Sequence, residues 1–141
     1  MEEQIRANAE MVLQELRKLS GVDLGYTGEG VDWLEGYVER LRTSTEFEGA
    51  EIRDKLTTMF GCFLGECIVR QYGGVWTQHE GVWGVAFSDD NMAFPFAKVA
   101  KQFENGLEDG ISSFFRVIPV LFDGGAHSVP SASQKPWWKF W

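Results

Sequence analysis

The stretch LGECIVRQYGGVWTQHEGVWGVAFSDDNMAFPF, residues 64–96, decides the fold because the hydrophobic period changes inside it. Up to Tyr72 the apolar residues recur every three or four positions, as on a helix, and Gly73-Gly74 breaks that pattern. Beyond the glycines the runs 75–79 and 82–87 alternate and flank Glu80-Gly81, where glycine supplies the positive φ of a tight turn. Trp83, Val85 and Phe87 then share one face of a hairpin, with Trp76 near the start of the partner strand. Asp89-Asp90-Asn91 reads as a second turn and residues 92–94 as a short third strand, and Pro95 suits the first position of a new helix.

Upstream the pattern is helical. A long helix over 46–72 carries Ile52, Leu56, Met59, Phe60, Phe63, Leu64, Cys67 and Ile68, a stripe broad enough to require burial on more than one side near its centre. Gly61 and Gly65, one turn apart, let another element approach closely. Residues 31–42 form a second helix with Leu34, Val38 and Leu41 on one side and Trp33 and Tyr37 flanking them. Residues 2–19 form a first, striped by Ile5, Ala9, Val12, Leu16 and Leu19 and closed by Ser20-Gly21. Downstream, Phe96, Val99 and Phe103 mark the buried side of a helix that Asn105-Gly106 closes. A last helix over 108–118 places Glu108 and Asp109 in its first turn, where they oppose the helix dipole, and Ile111, Phe114, Phe115 and Ile118 inward. The expectation is an α+β domain over 1–119: three N-terminal helices, a small antiparallel hairpin or meander, and two C-terminal helices. Residues 120–136 are rich in Gly, Ser, Ala and Pro and read as a linker to an extended aromatic tail.

GVDWLEGY at 30–37, the run from Leu64-Gly65-Glu66 to Gly73-Gly74-Val75-Trp76, and the run from PFAKV at 95–99 to Glu104-Asn105-Gly106 together resemble a family of small uncharacterised bacterial domains of unknown function. The resemblance covers residues 25–118. It implies a bacterial source and the helices, hairpin, helices order, and it implies no activity.

A net charge of −8 among 141 residues argues against general nucleic-acid binding, which needs Lys and Arg to neutralise phosphates. Residues 1–60 hold 13 acids and 7 bases, whereas 61–141 hold 8 and 6, so an acidic front half could attract a basic protein partner. Residues 1–20 are charged and amphipathic, unlike a secretory leader, and no apolar run reaches the length of a membrane span. Cys62 and Cys67 point about 140° apart on a helix and suit a reducing cytoplasm.

No constellation for catalysis stands out. No G-x-S-x-G accompanies His79 or His127, and the cysteines sit on an apolar helix. Cys62, Cys67, His79 and His127 lack the spacing of a zinc site, and Asp89-Asp90-Asn91 lacks that of a calcium loop. The glycines form neither a P-loop nor G-x-G-x-x-G. No cofactor is expected. Glu66, among apolar neighbours, needs a partner if buried, and Arg70 is one turn away. A polar cleft with Trp76 or Lys98 is the other reading, and a small-ligand or enzymatic pocket between helix three and the hairpin would gather Glu66, Arg70, Trp76 and Trp83.

The tail KPWWKFW, residues 135–141, concentrates Trp137, Trp138, Phe140 and Trp141. Each exposed ring forgoes on the order of 2 kcal/mol of burial free energy. The tail can fold back on its own domain, for instance at the Gly61/Gly65 face, dock on another chain as an anchor, or rest at a membrane interface without stable insertion. The leading expectation is a cytoplasmic, non-catalytic, immunity- or adaptor-like protein that binds another protein through its acidic half or its tail; homodimerisation through the tail is a further option.

Overall fold

The computed structural model describes residues 2–45 and 49–121. The elements run α1 (Glu2–Ser20), α2 (Gly28–Arg42), α3 (Ala50–Tyr72), β1 (Val75–His79), β2 (Val82–Ser88), β3 (Asn91–Ala93), α4 (Pro95–Asn105), a 3-10 turn (Gly106–Asp109) and α5 (Ile111–Pro119). The order is the expected one, and the chain is α+β.

α3 is the axis. Its residues from Phe60 to Ile68 are buried without a break, because α1 packs on one side of it and α4 and the sheet on another. Gly73 ends it at φ 85°, its amide donating to the Val69 carbonyl, a left-handed cap that glycine adopts without strain. The antiparallel sheet has the order β1-β2-β3. Trp76 lies opposite Val85 and Val85 opposite Ala93, so these three share the face turned to α3, while Val75 and Val82 face outward and are exposed. The hairpin turn has positive φ at both Glu80 and Gly81, the primed geometry whose twist matches that of the strands. Glutamate therefore shares the left-handed conformation expected of the glycine alone.

The two small residues of α3 admit aromatic side chains. A Cβ at Gly65 would overlap the Trp76 ring, and one at Gly61 the Phe96 ring. The close approach read from the glycine pair is thus made by the hairpin and α4.

Several boundaries differ from the expectation. α2 starts at Gly28, three residues early, because the Thr27 hydroxyl caps it by accepting from the Gly30 amide. Ile52, placed on the apolar stripe of α3, is exposed near that helix's start. Residues 46–48, the expected start of α3, lie outside the described residues. Glu108 and Asp109 belong to the 3-10 turn, and α5 begins after Gly110. The free amides of α5 are satisfied across the core instead: Ile111 donates to Gln102 Oε1 at 3.1 Å and Ser112 to Glu35 Oε2 at 3.0 Å. Gln102, fully buried, also donates to the Glu35 carbonyl, so one amide side chain ties α2, α4 and α5 together.

Candidate functional site

Two places bring chemistry-bearing side chains together. The first is the junction of α3 with β1. Helical spacing puts Glu66 and Arg70 on one face of α3, and the close approach at Gly65 lays the Trp76 indole beside them. Glu66, 3% exposed, accepts from Arg70 Nε at 3.2 Å on one oxygen and from Trp76 Nε1 at 2.8 Å on the other. The Arg70 guanidinium also covers the Tyr26 ring at 4.0 Å, and the Tyr26 hydroxyl donates to Glu10 at 2.9 Å. Burial and the Glu10 carboxylate push the Tyr26 phenol up, so it remains a donor. The result is a bonded chain from α1 to the hairpin. Both Glu66 oxygens are engaged, as a buried carboxylate requires.

Of the residues expected around that pocket, the structure joins Glu66, Arg70 and Trp76. Trp83 is half-buried against the core, opposite Gln78 rather than Trp76, and its indole Nε1 is buried without a hydrogen-bond partner among the described residues. Lys98, the other candidate for a cleft with Glu66, is buried with its Nζ 3.5 Å from Asp109 Oδ1 and over the Phe114 ring. Burial lowers the Lys98 pKa, partly offset by Asp109. Cys62 and Cys67 are both buried and free, and burial raises both thiols, with the Glu66 charge adding to the effect. That is the reverse of what a reactive cysteine needs. Among the described residues no three His, Cys, Asp or Glu side chains converge as metal ligands do, and no helix is long and apolar enough to cross a membrane. Trp137, Trp138, Phe140 and Trp141 lie outside the described residues.

The second place is a largely apolar groove of about 250 Å³ between α1 and α2. Its α2 wall is Asp32 with Trp33, Gly36, Tyr37 and Arg40, the last four spaced i, i+3, i+4 and i+7 on a helical face distinct from the core stripe of Val31, Leu34, Val38 and Leu41. Its α1 wall is Leu16 and Leu19. Trp33 is 38% exposed and Leu19 40%, large apolar groups left facing solvent beside a cleft. Gly36 forms the floor, where a Cβ would meet nothing within 4 Å. Tyr37 is anchored against Phe60, ring centroids 5.7 Å apart, and Arg40 stands over its outer face at 5.9 Å.

The rim is charged. Asp32 takes a bidentate pair of hydrogen bonds from Arg116 of α5 at 2.7 and 2.8 Å, and a third from the Ser112 hydroxyl. The Arg116 guanidinium holds the Asp32 carboxyl below the usual range, against a smaller opposing effect of burial. Burial raises the Tyr37 phenol, and the nearby Glu15 charge on α1 adds to it.

The sequence marks Trp33 and Tyr37 as residues flanking the core stripe of α2, and the structure gathers them into one groove. The signal was present: the second face 33/36/37/40 has an aromatic pair astride a glycine, and Leu19 extends the α1 stripe past the last core position. Comparison with protein families, with curated proteins and with solved structures finds no match for this chain.

Proposed function

We propose that the chain is a non-catalytic protein-interaction module of the adaptor or immunity type, and that the α1–α2 groove receives an apolar or aromatic anchor of its partner. One observation carries this reading: Trp33 stands exposed over an open glycine floor, in a groove walled by Leu16, Leu19 and Tyr37. Trp, Tyr and Arg are the side chains that most often dominate protein-binding energy, and three of the five α2 residues here are of those types. The acidic excess of residues 1–60 favours a basic flank on the partner. The resemblance over residues 25–118 to small bacterial domains is consistent with a bacterial source for such a module. It adds no activity.

The reading of a ligand pocket at Glu66 has less support. Its carboxylate, the Arg70 guanidinium and the Trp76 indole are bonded to one another, whereas a binding site needs polar groups aimed at a guest.

Selecting binders from a random peptide library on the full chain, then mapping amide shifts on adding a selected peptide, tests the proposal. The expected binders combine an aromatic residue with Lys or Arg and move the signals of Leu19, Trp33, Gly36 and Tyr37. Shifts clustered at Glu66, Trp76 and Trp83 would transfer the site to the junction and overturn the groove.

A further inference from the structure

We infer that the groove has an occupant within the same chain: the segment 135–141, folded back in cis, which a partner must displace. The inference rests on the groove reading above and adds a built-in competitor to it. Two observations carry it. The first is continuity. Arg116 of α5 is clamped on Asp32, a residue of the groove wall, and the described chain continues only five residues further, to Leu121. Residues 122–134 can span up to about 43 Å when extended, several helix diameters of about 10 Å, so reach sets no obstacle.

The second is fit. Residues 135–141 supply Trp137, Trp138, Phe140 and Trp141 with no acidic residue among them. The groove of about 250 Å³ exceeds the roughly 150 Å³ of a cavity that admits a benzene ring, and so accepts one indole. A second copy offers the same segment, but a tether of this length holds the tail at an effective concentration on the order of millimolar, which a second copy does not reach at ordinary protein concentrations. That favours the intramolecular arrangement.

The test compares the full chain with a variant in which Trp137, Trp138, Phe140 and Trp141 are all alanine. The backbone amides of Gly36 and Tyr37 and the Trp33 indole are expected to differ between the two, equally at low and high protein concentration. A library-selected peptide is expected to bind the alanine variant about tenfold more tightly than the intact chain, the factor by which a millimolar tether outcompetes at an intrinsic affinity near 100 µM. Gly36→Leu, which fills the floor and leaves the tail intact, is expected to return the tail indoles to the positions of the free 135–141 peptide. Identical groove signals in the two chains overturn the inference, as do differences that grow with concentration alongside a doubled mass, which assign the tail to a second copy. Equal peptide affinity for both chains sinks the tail alone and leaves the groove as a binding site. Tail-dependent groove shifts with no peptide binding to the alanine variant uphold the tail seat and sink the interaction module.

Discussion

Replacing Gly65 by alanine probes the junction that binds the sheet to α3. The new Cβ would overlap the Trp76 ring and lie 3.2 Å from Pro95 Cγ, so Trp76 has to move. Overpacking of a tight contact costs about 1–3 kcal/mol. Moving the indole also removes its 2.8 Å hydrogen bond to buried Glu66, and a bond to a charged group contributes about 1.5–3 kcal/mol. Against these stands the gain of about 1 kcal/mol for alanine over glycine inside a helix. The balance is a loss of about 3 kcal/mol, or roughly 12 °C in melting temperature for a domain of this size. Urea denaturation followed by far-ultraviolet circular dichroism measures it, with an unchanged slope showing that only stability moved. Gly36→Ala is the control. It makes the same chemical change on an exposed helix face where nothing lies within 4 Å, and is expected to be neutral or to stabilise by up to about 1 kcal/mol. A loss below about 1 kcal/mol for Gly65→Ala, or equal effects at the two glycines, refutes the packing and hydrogen-bond account.

Two further outcomes follow from the same contacts. Trp76→Phe removes the donor to Glu66 and is expected to cost at least about 2 kcal/mol more than Trp83→Phe, which removes an indole N–H that is buried without a partner; equal costs in denaturant titrations contradict it. For Asp32, the folded pKa lies below the unfolded value of about 3.9, so the contribution of the Arg116 pair is present at neutral pH and lost as pH falls through the folded value. Asp32→Asn is therefore expected to lose less than about 1 kcal/mol at pH 7, since both side chains are half exposed, and to approach the parent as the pH falls through the folded value. A stability difference that widens on acidification would show the sign to be wrong.

The elements were readable because each is locally consistent. The change of period at Gly73-Gly74, the Glu80-Gly81 turn and Pro95 at a helix start all agree with the packing that followed. The misplaced start of α5 has a tertiary cause. Glu108 and Asp109 carry a local helix-start signal, whereas the actual caps are Glu35 and Gln102, distant in sequence and brought in by the core. Glu66 was legible as a residue needing Arg70. Its second partner, Trp76, required the hairpin to fold back over Gly65, a long-range contact that spacing alone does not give. The groove was half legible: the face 33/36/37/40 is local to α2, but the Leu16 and Leu19 wall depends on how α1 crosses it. Lys98, offered by the sequence as a cleft partner of Glu66, is instead buried on α4, as is Gln102, because the 3-10 turn and α5 cover that side.

The central claim is that the α1–α2 groove is the binding surface, and one affinity measurement tests it. A library-selected peptide is titrated calorimetrically into the chain carrying alanine at Trp137, Trp138, Phe140 and Trp141, and into the same chain with Gly36→Leu added. The leucine occupies the open floor and is expected to leave the melting temperature unchanged or raised. The account predicts that it weakens the peptide by at least about tenfold, 1.4 kcal/mol. Equal affinity for the open and the filled groove would contradict it.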